Sequence, residues 1–325
     1  MILAGDIGGT KTTLALCDDR GDIVRDHTVA SGDAPSLESI IDAFAPGHVS
    51  AACFGVAGPV VGGVAKITNL PWTIATASLV AKLGGARVAL LNDLQATALG
   101  ALLISAEKLA VLQDGAVPQY STVAVIAPGT GLGEALLYHD GANYRALPSE
   151  GGHADFAPGT DEEIELLRYL RGKYGDHVSY ERVLSGNGFG DLYSFCRLQS
   201  GTPEPAWLTK ELAAGDHNAV VSKAGLAGTD AACVRAVELF ALVLGAEAGN
   251  LALRGLAIGG VVIGGGIPPK ILPALQTGAL LARFNAKGRF SKWTRALDVR
   301  VATEPRAALL GAAYHASLSA ITKDL

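Results

Sequence analysis

Apolar and polar positions along the chain alternate between short β-rich runs and stretches with helical spacing. Ile2–Asp6, Thr12–Cys17, Ile23–Val29 and Val49–Val56 predict strands, the last continuously apolar and ended by Gly58-Pro59. Leu37–Phe44 and Ile74–Leu83 have helical spacing, and Val88–Leu91 predicts a further strand. Asp93–Leu103 then predicts a helix capped by Asn92 or Asp93. This order of elements predicts an α/β layer with a mixed sheet.

A second α/β unit is expected to begin near Ser121, with strands at Val123–Ala127 and Glu134–Tyr138 around a Gly-rich link. The middle of the chain turns helical, at Glu162–Tyr174, Tyr180–Leu184, Gly190–Leu198, Trp207–Ala214 and His217–Ala224. Thr229–Arg254 is apolar on nearly every face and predicts a helix at the centre of a domain. Val261–Ile263 predicts a strand running into Gly264-Gly265-Gly266, and Pro305–Ala320 a helix with Pro in its first turn. A strand, a Gly/Thr turn and a strand occur at Asp6–Thr12 and again at Ala127–Gly133. One fold unit used twice, with a cleft between the copies, is the expected organisation.

Composition narrows the function classes. The 325 residues exceed what one core usually serves, so two domains are expected. With 26 Lys+Arg against 31 Asp+Glu, the net charge of −5 argues against a nucleic-acid or anionic-membrane surface. Mean hydropathy is +0.32, yet the longest suspicious stretches, Leu94–Ala106 and Gly255–Pro269, both free of charge, fall short of the roughly 20 residues of a spanning helix. Asp6 and Lys11 follow only a few apolar residues, unlike a secretory signal. Cys17, Cys53, Cys196 and Cys233 stand far apart with no Cys-x-x-Cys pair, as in a reducing compartment. A soluble, cytoplasmic protein is expected.

Five segments carry candidate chemistry. In Gly5-Asp6-Ile7-Gly8-Gly9-Thr10-Lys11-Thr12, glycines at a strand-to-strand turn let backbone N–H groups approach an anion, and Thr10 adds a hydroxyl. Asp6, at the strand end, suits Mg²⁺ directly or through water. The segment is not a P-loop, and an ordinary hairpin turn is the alternative. Gly129-Thr130-Gly131-Leu132-Gly133 follows the same logic, and two such turns can hold the two ends of a triphosphate. Asp93, after a strand and at a helix start, suits a general base toward a substrate hydroxyl; an N-cap is the alternative. Ser149-Glu150-Gly151-Gly152-His153, with Glu181 farther on, offers the carboxylates and imidazole that read sugar hydroxyls, although a structural histidine is also compatible. No Cys or second His lies at zinc spacing from His153. Gly264-Gly265-Gly266 suits a base or ribose lying on bare backbone, or simply a helix-entry loop. The basic run Lys287, Arg289, Lys292, Arg295 is expected to be a solvated face, and Trp72 to line a cleft or fill a core.

These segments together resemble the bacterial glucokinases of the actin-like, sugar-kinase and heat-shock ATPase superfamily. The resemblance rests on Asp6–Thr12, Thr68–Trp72, Leu91–Ala96, Ala127–Gly133, Ser149–Pro158, Glu181–Gly188, Val261–Ile267 and Lys287–Phe290, in family order over nearly the whole chain. It implies a two-domain actin-like ATPase (ribonuclease H-like) fold, with residues 1–108 and 305–325 in a small domain and 109–304 in a large one. It implies ATP and D-glucose as substrates, Mg²⁺ positioned by Asp6, Asp93 as the catalytic base and Asn92 as a sugar contact. Glu150, His153 and Glu181 would hold the sugar ring. Gly8, Thr10, Gly129, Thr130 and Gly131 would cradle phosphates, with Gly265 near the adenosine and a homodimer as the assembly. Three departures stand out. Leu94 replaces a common aromatic, the cysteine-rich zinc motif of the related repressor and sugar-kinase family is absent, which disfavours that branch, and Glu134 stands where an aliphatic residue is usual, either solvated or near the phosphates. A kinase for another hexose or amino sugar is the neighbouring reading. A sugar-responsive regulator would want a DNA-binding segment ahead of the first turn, which starts at residue 6.

Overall fold

The structure is a computed structural model describing residues 1–67 and 70–321, so Thr68 and Asn69 of the Thr68–Trp72 motif, and the end of the predicted 305–325 segment, lie outside the described residues. The chain divides into two compact units. One comprises Met1–Ser105, Leu137–Pro148 and the chain from Glu304; the other comprises Ala106–Leu136 and Ser149–Thr303. Residues 137–148, expected within the large domain, are thus grouped with the first unit.

In the first unit, β1 (Ile2–Ile7), β2 (Lys11–Cys17), β3 (Ile23–Ala30), α1 (Leu37–Phe44) and β4 (Ala51–Val56) lead to a small sheet of β5 (Val60–Val61), β6 (Val64–Lys66) and β7 (Thr73–Ala75). Then come α2 (Thr76–Lys82), β8 (Arg87–Asn92) and α3 (Asp93–Ala101). The main sheet has the order β3-β2-β1-β4-β8, antiparallel from β3 to β1 and parallel from β1 to β8. All of β4 is buried, as its unbroken apolar run requires of a strand covered on both faces. Leu37, Ile40, Ile41 and Phe44 of α1 and Leu79 of α2 form one core with Leu3, Ile7, Phe54 and Val56. Ile74, expected in a helix, sits instead in β7, where it pairs with Ala65; strand pairing overrides the local helical spacing there. Trp72 is buried in the same core, which settles its open alternative.

The second unit contains β9 (Leu109–Gln113), β10 (Val123–Pro128) and β11 (Leu132–His139), which runs on with β12 (Tyr144–Leu147) into the first. It continues with α4 (Asp161–Tyr174), α5 (Gly186–Ser200), α6 (Ala206–Ala214), α7 (His217–Leu226) and α8 (Ala231–Gly255). It closes with β13 (Val261–Ile263), α9 (Leu272–Leu275), α10 (Ala279–Asn285), α11 (Ser291–Thr294) and β14 (Val299–Ala302). β10, β13 and β14 are parallel, and β9 adds antiparallel to β14. The 25-residue α8 is capped by Asp230, whose carboxylate accepts the Cys233 N–H at 2.9 Å, and it lies at the centre of the core with Phe189, Phe240 and Leu244. The final helix α12 (Ala307–Ile321) packs on α3, β1 and β4 of the first unit. A Cβ on Gly100 of α3 would stand 1.8 Å from the Ala307 carbonyl oxygen, and one on Gly311 1.8 Å from that of Ala96. The two helices therefore meet backbone to backbone. All four cysteines are buried and free, and among the described residues no helix is long and apolar enough to cross a membrane.

Candidate active site

In the first unit the sheet register sets two carboxylates side by side. Asp6, at the end of β1, pairs with Gly55 of β4, and Gly55 pairs with Leu91 of β8, just before Asn92 and Asp93. Gly55 lets α3 come close: its absent Cβ would lie 2.8 Å from Ala96 Cβ and 3.8 Å from Asp93 Cα. Burial first, and then the charge of Asp93, raise the Asp6 pKa to about 6, with Lys11 opposing. Asn92 is the N-cap of α3. Its Oδ1 accepts the Leu94 N–H at 2.9 Å, and Gln95 Oε1 accepts the Asn92 N–H at 3.1 Å, closing a capping box. Asn92 Nδ2 also donates to the Gly58 carbonyl at 3.2 Å. With the cap supplied by Asn92, Asp93 stands in the first helical turn, its Oδ1 accepting the Leu94 N–H at 2.8 Å, where the positive helix end favours the carboxylate.

The Gly8–Lys11 turn is tied from behind. The Gly8 N–H donates to the Lys11 carbonyl at 3.0 Å, Ser31 Oγ donates to the Gly8 carbonyl at 2.7 Å, and the Ser31 N–H donates to the Thr10 carbonyl at 3.0 Å. Gly8 N–H is thus used inside the turn and is not open to an anion. Gly5 and Ile7 are buried within β1, and a Cβ on Gly5 would lie 2.5 Å from the Phe54 ring. Ser31, fully buried, escaped the sequence reading because nothing in its neighbourhood marks it as a turn support. Among the described residues no cluster of three or more metal-ligating side chains occurs. The acidic pair Asp6 and Asp93 still fits a hard divalent cation that takes one or two carboxylates and completes its shell with phosphate oxygens and water.

In the second unit the residues converge on Leu132. The turn between β10 and β11 is held by Gly129 N–H to Gly131 carbonyl (2.8 Å) and Gly186 N–H to Gly129 carbonyl (2.9 Å). Glu181 lies on the short 3-10 turn Tyr180–Arg182, and its Oε2 accepts the Leu132 N–H at 3.0 Å. That oxygen sits 2.5 Å from where a Gly131 Cβ would be, so the glycine makes room for the carboxylate. Glu150 precedes and His153 ends the 3-10 turn Gly151–His153, whose Gly152 is buried, with His153 Nε2 3.9 Å from Glu150 Oε2. A Cβ on Gly152 would lie 2.1 Å from the Leu132 carbonyl oxygen. One residue therefore holds Glu181 with its N–H and backs the Glu150–His153 turn with its carbonyl.

Beside this lies a cavity of about 270 Å³ lined by Gly129, Thr130, Asp216, Asn218, Gly266 and Lys270, among others. Gly266, not Gly265, faces it. Gly265 has a φ of +86° and would set a Cβ 2.3 Å from the Pro128 carbonyl, so its role is to lock the third Gly-rich turn against the second. Asp216 and Asn218 escaped the sequence reading because they look like a helix start, and Asp216 does cap α7. Two expectations need correction. Glu134 is not solvated: it is 1% exposed, and Arg254 of α8 donates to its Oε2. Lys287 is not part of a solvated face, since its Nζ donates to the Ala246 carbonyl at 2.8 Å and to Asn250 Oδ1 at 2.6 Å; Arg289, Lys292 and Arg295 are exposed.

The chain is similar to known proteins along nearly its full length. The glucokinase family profile matches residues 3–319. A glucokinase of Trichormus variabilis is 39% identical, with 98% of this chain and 99% of that protein covered. A glucokinase of Klebsiella pneumoniae is 36% identical, with 96% of each covered. The crystal structure of a glucokinase from an Antarctic psychrotroph superposes with a TM-score of 0.85 at 31% identity, covering 97% of this chain and 98% of that one. The fold is accordingly the two-domain actin-like sugar-kinase fold, and the chain belongs to the glucokinase family.

Proposed function

We propose that this protein transfers the γ-phosphoryl group of ATP to the 6-hydroxyl of D-glucose. The observation that carries the reading is the convergence on Leu132: a sugar-type carboxylate, Glu181, shares that residue with the Gly129–Gly131 turn. Asp93 takes the 6-hydroxyl proton as that oxygen forms its bond to the γ-phosphorus and the bond to the β,γ-bridging oxygen breaks, giving glucose 6-phosphate and ADP. Glu150, His153 and Glu181 bind ring hydroxyls, with Asn92 as a further contact. Gly9, Thr10, Lys11 and the Gly129–Gly131 turn bind phosphate oxygens, and the cavity beside Gly266 takes the nucleoside. Asp6 would hold Mg²⁺, directly or through water, and the ion when bound would neutralise charge on the phosphates. Positioning and fixed dipoles carry most of the rate enhancement. We read the enzyme as a cytoplasmic homodimer feeding glycolysis.

The test is a coupled assay for glucose 6-phosphate, with Asp93→Ala beside the wild type and mannose and glucosamine beside glucose. Loss of the base is expected to lower kcat by about 10²–10⁴ while glucose still binds. Wild-type kcat in Asp93→Ala overturns the base assignment, and faster turnover of another sugar moves the substrate.

A further inference from the structure

Behind the Glu150–His153 turn lies a buried polar network that the proposed mechanism does not use. Glu134 and Leu132 alternate onto the same buried face of β11. Leu132 backs Gly152, and Glu134 backs the neighbouring residue: its Oε2 lies 2.3 Å from where a Gly151 Cβ would stand. From α8, Arg254 donates to Glu134 Oε2 at 3.4 Å and to Glu247 Oε1 at 2.6 Å. Asn250 Nδ2 donates to Glu247 Oε2 at 2.9 Å and to the Tyr180 hydroxyl at 3.2 Å, and Lys287 Nζ donates to Asn250 Oδ1. Tyr180 immediately precedes Glu181, so the network touches both turns that carry the sugar-type carboxylates.

Glu134 and Glu247 both have fully buried side chains. The Arg254 guanidinium spans the two carboxylates, and Glu134 Oε1 has no donor among the residues around it. An orphaned buried oxygen is a serious penalty, and two carboxylates can bond only with a proton between them. A single shared proton supplies the missing donor. Burial first, then the Glu247 charge, push the Glu134 carboxyl up to about 8, against the pull of Arg254.

We propose that Glu134, bonded to Glu247 through one shared proton, is a positioning residue for hexose binding, fixing the Gly151–His153 turn from beneath and acting only through Glu150 and His153. The proposal rests on the reading of those two residues as sugar ligands. When the shared proton leaves, two buried carboxylates face each other under Gly151 with Arg254 alone in contact with both, and the turn is pushed out of register. The other charges nearby are Tyr180, Lys287 and, beyond Lys287, Arg283 and Glu163. Lys287 has its own pKa lowered to about 8, mainly by burial, but its neutral amine still carries two hydrogens for the Ala246 carbonyl and Asn250.

The experiment compares wild type, Glu134→Gln and Glu134→Leu in steady-state assays with glucose and ATP varied separately at about pH 7 and pH 9. Glutamine keeps a donor for Glu247 and cannot ionise. Its glucose KM is expected to match wild type at the lower pH and stay flat, while the wild-type glucose KM rises about tenfold across one pH unit above the transition. Glu134→Leu is expected to raise glucose KM about tenfold or more at both pH values, with ATP KM and the circular dichroism spectrum unchanged. A glucose KM in Glu134→Gln that climbs with pH as in wild type overturns the proposal, even if the leucine variant fails to fold. Glu150→Gln and His153→Ala separate the two readings. If both raise glucose KM and the Glu134 variants do not, the positioning role alone falls. If neither raises it, the sugar-ligand reading and the positioning role fall together.

Discussion

Gly131 offers a sharp discrimination between two roles that a Gly-rich turn can have. In the proposed function its amide meets a phosphate, but its missing side chain is what lets Glu181 reach Leu132. Alanine separates these roles, because it keeps the N–H and meets no left-handed backbone at this position. The new Cβ would stand 2.5 Å from Glu181 Oε2, closer than any stable contact, and 3.4 Å from its Cδ, and the carboxylate is the part that can move. Movement of about 1 Å takes the 3.0 Å bond from the Leu132 N–H out of range. A hydrogen bond to a charged group is worth about 1.5–3 kcal/mol, so the affinity for hexose is expected to fall by roughly 10- to 150-fold. The Gly129–Gly131 bond does not involve the side chain, and ATP KM is expected to stay within about threefold of wild type. Steady-state kinetics with each substrate varied, together with a calorimetric glucose titration, read both numbers. An ATP KM that rises while glucose binding is unchanged would refute the reasoning and return Gly131 to the phosphates alone.

Two further outcomes follow from the first unit. Because the Asp6 pKa is raised from 3.8 to about 6, the native state holds that proton more tightly than the unfolded chain, so Asp6 lowers stability progressively as pH rises through this window and fully above it. Asp6→Asn is expected to gain at most about 3 kcal/mol at pH 7.5 and little at pH 4 in urea unfolding, and to lose the stabilisation that Mg²⁺ gives the wild type with ATP present; equal gains at both pH values would contradict the assigned cause. Gly100→Ala forces a Cβ to within 1.8 Å of the Ala307 carbonyl and is expected to destabilise by about 1–3 kcal/mol in the same assay. It should also lower kcat, since α3 carries Asp93; an unchanged urea midpoint would show that α3 and α12 can separate freely.

Much of the scaffold was legible because it depends on local pattern. Leu37–Phe44 and Val261–Ile263 form the elements their spacing predicts, and α8 lies where a helix apolar on every face must lie. The short strands β5, β6, β9, β12 and β14 were not anticipated, because two to five residues carry too little periodicity and exist only through pairing with distant partners such as Val299 with Gln113. At the site, the residue types around Asp93, Glu150, His153 and Glu181 were readable from their chemistry. The support beneath them was not: Ser31 reaches Gly8 across 23 residues and Lys287 reaches Ala246 and Asn250 across 41 and 37, while Asp216 caps a helix and Glu247 lies within one, and no local signal marks them. Glu134 is the instructive failure. A lone acidic residue in an apolar strand reads as solvated, and only its partner on α8 makes burial tolerable.

The glycines show why the two kinds of information diverge. Read along the chain, a Gly-rich turn signals backbone amides open to an anion. In three dimensions, Gly55, Gly131, Gly151, Gly152 and Gly265 each admit a neighbouring atom into the space of an absent Cβ. Glu150 and His153 are exposed, so burial cannot fix their pose. The backbone on which they ride is fixed instead, by the Leu132 carbonyl under Gly152 and the Glu134 carboxyl under Gly151. In the proposed function, close backbone contact supplies the preorganisation that a directional sugar site requires, while the side chains remain accessible to the ligand.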